Sequence, residues 1–272
     1  MKRVLLLMLL AAVIAPASPI AVWGGSIDTA HPSVGAMYFD IMGNGTAVPD
    51  GLVCSGSYAG PSKDGLHDVF LTAGHCMPPA ELNIPPQALL VSFDGDGRDG
   101  VSNPIKVSAY HQMPGFGQNF GDPRDLGVLL LPANSAKVPA VELPRAGYLD
   151  ALKAAGALKF KIVDIVGYGV IPVWEPPGPT QFEFDGVRRA GTSVIIGLRD
   201  SMVIYNQNRH GIGTGSGLCF GDSGSPQFEQ GTLRVLSVTS GGNGQCNANN
   251  QNYRVDTPQA REFLGRFLTL PQ

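Results

Sequence analysis

The sequence predicts an all-β fold, built as two β units of similar size with a cleft between them. Three observations carry this. The 272 residues include 36 glycines and 22 prolines, spread along the chain as turn residues between short strands are. Short β-type apolar runs recur, each bounded by turn chemistry. Only the last segment carries a clear helical signal. A hydrophobic content of 43% over this length is enough for a substantial core and sets the chain apart from disordered compositions.

The first element is MKRVLLLMLLAAVIAPASPIA. Lys2 and Arg3 precede a 12-residue apolar run, 4–15, and Ala15-Pro16-Ala17 follows as an A-x-A-like site. This is the pattern of a secretory signal peptide, and the run is too short for a membrane span. An uncleaved anchor is the alternative. Residues 1–21 are read as signal peptide and short pro-segment, and the protein as secreted, extracellular or periplasmic. No later stretch is long and apolar enough to span a bilayer, so no membrane contact is expected after signal cleavage.

The β-type runs come next, at 35–41, 69–72, 89–93, 105–110 and 126–131, then at 160–166, 192–196, 201–205, 233–240 and 253–255. MGNG, FDGDGRDG, WEPPGPT, GIGTGSG and SGGNG separate them as turns. The polar–apolar segment 139–150 lies between the two sets and divides the mature chain into 22–143 and 144–272. The helical signal closes the chain: Thr257 can cap, Pro258 takes the first helical position, and AREFLGRFL has helical apolar spacing. FDGDGRDG brings Asp94, Asp96 and Asp99 together as candidate calcium ligands. An EF-hand loop, however, needs an oxygen ligand where Arg98 stands and an acidic residue where Ile105 stands. A tight solvated turn is the better reading, with calcium at most a stabiliser.

Charge and cysteine usage narrow the function class. Without Lys2 and Arg3 the chain has 17 basic against 22 acidic residues, a net charge of about −5, which argues against a nucleic-acid partner. Cys54, Cys76, Cys219 and Cys246 all lie in the mature chain. An even number in an exported protein points to two disulfides. Their order favours local pairing, although three connectivities are open. A zinc site would want a C-x2-C pair, and there is none, so no metal site is expected.

The chemistry centres on LCFGDSGSPQF, where Ser223 sits between Asp222 and Gly224. A serine hydroxyl attacks only with a base in hydrogen-bond reach, and the base needs an orienting partner. Among five histidines, His75 follows a β-type run in VFLTAGHC and precedes a cysteine that would hold it in place. Asp125, at the start of the apolar run in PRDLGVLLLP, is the acid best placed for burial beside a strand. Asp122, in a more polar loop, is the weaker choice.

TAGHC, RDLGVLLL and CFGDSGSP, in that order, resemble the chymotrypsin-like serine peptidases of the trypsin family. The resemblance extends over most of the mature chain, through VWGG, HPSVGAM, CSGS, HQMPGF, IVGYG and VTSGG. The 50 residues from His75 to Asp125 and the 98 from Asp125 to Ser223 are near the family's spacings. It implies two packed six-stranded antiparallel barrels, 22–143 and 144–272, with a short C-terminal helix. It implies Ser223 as nucleophile, His75 as general base and acid, and Asp125 as orienter of the imidazole. The backbone N–H groups of Gly221 and Ser223 would form the oxyanion hole, and Cys54–Cys76 and Cys219–Cys246 would be the disulfides. Asp222 would pair with the freed amine of Val22. VTSGG would pair with the substrate backbone. Gly217, with Leu218 beside it and Gly241 on the facing wall, would form the primary specificity pocket. A pocket without a carboxylate implies cleavage after an uncharged or apolar residue.

Two departures bear on activation. Trp23 stands where the family has a small aliphatic residue, and no Lys or Arg lies between the apolar run and Val22. Export processing or another peptidase is therefore expected to expose Val22 or a residue near it. The resemblance implies protein or peptide substrates, a proteinaceous inhibitor as a further partner, a monomer and no cofactor. Two rivals come from other classes. A chymotrypsin-like fold can serve as a catalytically silent binding protein. FGDS also resembles the start of the GDSL esterase motif, for which DTAH (28–31) and DGLH (64–67) would supply D-x-x-H. That motif runs in the reverse order, and Gly224 replaces its leucine.

Overall fold

The computed structural model describes residues 22–101, 103–119, 121–173, 178–208 and 215–272. The signal-peptide reading of 1–21 and parts of the WEPPGPT and GIGTGSG turns lie outside the described residues. The chain is all-β, as expected. Strand β1 (Ser26–Ile27) leads into β2 (Val34–Phe39), β3 (Leu52–Pro61), β4 (His67–Thr72), β5 (Leu89–Ser92), β6 (Ile105–Lys106), β7 (Ala109–Gln112) and β8 (Gly127–Pro132). Helix α1 (Tyr148–Ala154) follows. Then come β9 (Ile162–Gly167), the hairpin β10 (Ile171–Val173) and β11 (Gln181–Glu183), β12 (Arg189–Leu198), β13 (Met202–Asn206), β14 (Pro226–Glu229), β15 (Val235–Gly242), β16 (Asn249–Arg254) and helix α2 (Pro258–Leu264).

Every pairing between these strands is antiparallel. The first sheet runs β6-β5-β2-β3-β4-β8-β7. It has seven strands, and among the described residues no ladder closes it, so it is an open half-barrel rather than the six-stranded barrel expected. The second closes: β9 pairs with both β12 and β14, completing the ring β9-β12-β13-β16-β15-β14. Closure leaves its strands no free edge. β1 adds to the second sheet through β12, so the start of the described chain is tied to the C-terminal barrel rather than to the sheet that follows it.

One apolar cluster spans both sheets, with Val34, Phe70, Leu71 and Leu129 on one side and Val166, Tyr168, Phe228 and Val235 on the other. A second fills the closed barrel around Ile165, Ile195, Leu218 and Leu236, and includes Val22. Burial of this surface is the main stabilising term. Arg188 crosses between the two halves. It donates from Nε to Asp28 Oδ2 at 2.9 Å and from Nη1 to the carbonyls of Val34 and Phe93 and to the Tyr168 hydroxyl.

The expected C-terminal helix is present, and Thr257 Oγ1 accepts from Ala260 N as a cap. Helix α1 was not expected. Its N-cap is Gly147 with no side-chain cap, and it buries only Leu149. Asp256 Oδ2, far along the chain, accepts from the Leu149 N–H at 2.8 Å. A helix capped by a distant residue leaves little local trace. The FDGDGRDG turn is closed by Gly100 N–H donating to Gly97 O, and Asp96 accepts from Arg98.

Candidate active site

Register brings the first two candidates together. β4 and β8 pair from His67↔Pro132 to Thr72↔Gly127. The segments just after β4 and just before β8 are therefore side by side. His75 lies in a single 3-10 turn, Gly74–Cys76, tied back to β3 by the Cys54–Cys76 disulfide. Its backbone N–H donates to Asp125 Oδ1 at 2.8 Å, and its Nδ1 lies 2.9 Å from Asp125 Oδ2. Asp125 is 3% exposed while His75 is open to solvent, so the acid end of this contact is the shielded one. Ser240, in β15, donates its hydroxyl to the same Oδ2.

The third candidate comes from the other half of the molecule. Ser223 Oγ lies 2.7 Å from His75 Nε2. Its loop is pinned by the Cys219–Cys246 disulfide, by Asp222 N–H to Cys219 O, and by Ser55 N–H to Ser223 O at 2.8 Å. Two glycines make the turn possible. Gly221 has φ +89 and Gly224 φ +82, and a Cβ on Gly224 would lie 2.0 Å from Thr72 Oγ1. At Gly221 the requirement is the left-handed backbone itself, with Gly169 and Leu52 as the nearest neighbours. In this geometry the Ser223 proton can pass to Nε2 as Oγ attacks a carbonyl, while Asp125 stabilises the resulting imidazolium. Among the described residues the N–H groups of Gly221 and Ser223 donate to no protein acceptor.

Asp222 points away from this line of contacts. It is fully buried, and its carboxylate accepts from Gly169 N–H at 2.8 Å and Cys219 N–H at 2.9 Å. Burial pushes its pKa up to about 7, against the lowering effect of the two backbone donors. With residues 1–21 still attached, the Val22 nitrogen is a peptide nitrogen and not the amine an ion pair would need. Val22 is fully buried in the second apolar cluster.

Beside Ser223 opens a cleft of about 360 Å³, lined by Leu218, Cys219, Phe220, Thr239, Ser240, Gly241 and Asn250 among others. Leu218 and Gly241 both line this cleft. Gly217 sits behind it, bridged to Trp23 by its N–H to Trp23 O at 3.0 Å. A Cβ on Gly217 would meet Trp23 Nε1 at 2.5 Å. Among the described lining residues none but His75 is titratable, the cysteines here being paired in a disulfide.

Three contributors escaped the motif reading. Ser240 lies in VTSGG, which pointed to backbone pairing but not to a contact with Asp125. Ser55, in CSGS, donates its hydroxyl to Gly221 O at 2.9 Å and accepts from Tyr168 N–H at 3.1 Å. Asn250 lies in NANNQN, too polar to read as a strand. Of the two rival D-x-x-H pairs, Asp28 and His31 are engaged elsewhere: His31 Nδ1 lies 2.8 Å from Asp28 Oδ1, beside Arg188, and its ring stacks on Phe228. Among the described residues, one His/Cys/Asp/Glu group is compact enough to hold a metal, namely Cys54, His75 and Cys76. Its two sulfurs are joined in a disulfide, so it is not a ligand set.

The family model described as Trypsin matches residues 45–263. No curated protein matches the chain in sequence. Among solved structures, human heparin binding protein is similar at 18% identity and a TM-score of 0.61, covering 93% of this chain and 98% of that one. HL collagenase is similar at 14% identity and a TM-score of 0.59, covering 89% and 96%. The Vibrio cholerae VesB protease is similar at 15% identity and a TM-score of 0.61, covering 88% of this chain and 65% of that one. At these identities the likeness is one of fold, the chymotrypsin fold.

Proposed function

The chain belongs to the trypsin family, and from that premise we propose that it is a serine endopeptidase acting through Ser223, His75 and Asp125. The observation that carries the reading is the unbroken run of contacts from Asp125 Oδ2 through His75 to Ser223 Oγ, at 2.9 and 2.7 Å. Ser223 attacks the scissile carbonyl and His75 takes its proton. Gly221 and Ser223 N–H groups hold the oxyanion, where such a donor is worth about 3 kcal/mol. His75 then returns the proton to the leaving amine, and water hydrolyses the acyl-enzyme. No cofactor enters the sequence of steps. The primary pocket takes an uncharged or apolar residue, supported by the lack of any charged wall among its described residues.

The protein acts after export, once residues 1–21 are removed. Two disulfides support an oxidising destination. The new amine of Val22 then becomes the partner of Asp222. The halves 22–143 and 144–272 act as the two structural units that bring His75 and Asp125 to face Ser223.

A fluorophosphonate probe tests the reading on the processed protein. Wild type should take the label and cleave uncharged peptides, while Ser223→Ala should do neither. Wild type left unlabelled after correct processing would favour the silent binding protein.

A further inference from the structure

Two carboxamides, one lining the cleft and one behind it, approach Gly242 of the cleft wall with hydrogen-bonding capacity left over. Asn250 lines the cleft and is 3% exposed, and its Oδ1 is buried with no hydrogen-bond partner. Gln207 is 1% exposed. Its Oε1 accepts from Leu218 N–H at 3.1 Å, while its Nε2 is buried with no partner. Both stand against Gly242, another residue of the cleft wall. A Cβ on that glycine would lie 3.1 Å from Asn250 Nδ2 and 3.4 Å from Gln207 Nε2. The neighbouring Gly241 would have nothing within 4 Å of its Cβ, so the approach past it is open. The ladders fix the arrangement, since Asn250 pairs with Gly242 of β15 and with Tyr205 of β13.

Native proteins leave few buried polar groups unpaired, because each forfeits its hydration without return. An unpaired acceptor beside an unpaired donor is the complement of a primary carboxamide, which carries one carbonyl and one NH₂. The Leu218 N–H fixes Gln207 with its oxygen inward, so its free atom is a donor. Asn250 is placed with its Nδ2 toward Gly242 and its Oδ1 as the unpaired atom, an acceptor. A carboxylate side chain would bring no donor for Asn250 Oδ1 and would find no cation among the described lining residues. A lysine or arginine would find no anion, and an apolar side chain would leave both groups unpaired.

We propose that the primary pocket selects a carboxamide, so that the peptide bond cleaved follows glutamine or asparagine. This deepens the peptidase reading above and rests on it. The amide group of the substrate donates to Asn250 Oδ1 and accepts from Gln207 Nε2.

The experiment compares internally quenched peptides that differ only before the scissile bond, carrying Gln, Asn, Leu, Phe, Glu or Lys, on the processed enzyme. Gln or Asn should exceed Leu, Phe, Glu and Lys by about tenfold or more in kcat/KM. Asn250→Leu should lose about tenfold on the Gln peptide, spare or improve the Leu peptide, and keep fluorophosphonate labelling of Ser223. Asn250→Ala provides the same contrast should the leucine variant misfold. Leu or Phe preferred by wild type overturns the inference, as does an equal loss on every peptide in both variants. Labelling with no Gln or Asn preference sinks the carboxamide pocket alone. No labelling and no cleavage of any peptide sinks the peptidase reading, and the pocket assignment with it.

Discussion

The Ser240 hydroxyl donates to Asp125 Oδ2, the same oxygen that faces His75 Nδ1 at 2.9 Å. The other carboxylate oxygen takes the His75 backbone N–H at 2.8 Å. A buried carboxylate so held has little freedom to turn, and the imidazole is oriented in consequence. A hydrogen bond to a charged group is worth about 1.5–3 kcal/mol. Ser240→Ala is therefore expected to lower kcat by about 10- to 100-fold on an uncharged peptide. Asp125→Asn should cost more, about 10⁴-fold, as in the template enzyme of this fold, because it favours the wrong imidazole tautomer. Steady-state kinetics give both. Wild-type kcat in Ser240→Ala would mean that His75 alone holds the carboxylate.

Ser55 ties the first sheet to the loop that carries Ser223. Its N–H donates to Ser223 O, its hydroxyl to Gly221 O, and its carbonyl accepts from Thr72 Oγ1. Ser55→Ala leaves the Gly221 carbonyl and the Tyr168 N–H without their partner, at about 1–3 kcal/mol. Because Gly221 is an oxyanion donor in the proposed mechanism, the loss should fall on kcat, by roughly tenfold or more, with KM unchanged. The rate of fluorophosphonate labelling should fall in step. A rise in KM with kcat intact would assign Ser55 to substrate binding instead.

Asp222 makes stability depend on pH in the unprocessed chain. Its folded pKa, about 7, lies above the value of 3.8 it has unfolded. The folded state therefore holds the extra proton between those values. The stability this contributes is full below about 4 and is lost as pH rises through about 7. Protein with its N-terminal segment attached should melt at a lower temperature at pH 8 than at pH 5.5, and Asp222→Asn should flatten that difference. Cleavage before Val22 supplies a cation and should lower the carboxyl pKa, removing the effect. Thermal melts of the two forms, identified by N-terminal sequencing, check it. Equal slopes before and after cleavage would sink the ion pair.

Gly217 and Trp23 form a tight contact behind the cleft. Gly217→Ala would place a methyl 2.5 Å from the indole nitrogen. Overpacking of this kind costs about 1–3 kcal/mol, and in a chain of this size each kcal/mol lowers Tm by about 2–4 °C. With Trp23→Leu in the background, the added methyl should cost less, a coupling that a double-mutant cycle measures. Strict additivity would show that the two residues do not share the space.

Much of the fold was legible because its signals are local. Runs such as GVLLLP and VLSVTSGG lie between turn residues, and Thr257-Pro258 marks a helix start whose cap is three residues away. β3 and β16 read poorly. Their LVCSGSYAGP and NNQNYR are rich in small or polar residues, and what makes them strands is the ladder on both sides. α1 was hidden for a related reason, since the N–H of its second residue, Leu149, is capped by Asp256.

The same division holds for the site. His75, Asp125 and Ser223 stood out as candidates in sequence because each sits in a short motif with its own chemistry. So did the four cysteines, whose pairing only the folded chain decided. Whether a glycine lines a pocket or backs it depends on what packs behind it, and Trp23 behind Gly217 is nearly 200 residues away. Likewise Asn250, Gln207 and Gly242 come from three strands or strand ends with no shared motif. A hydrogen bond left unmade is a property of the packed interior, where water is excluded and partners are fixed by register. Residue types and their order therefore determined the fold class and the candidate chemistry. Only the tertiary structure decided which polar groups remain free to meet a substrate.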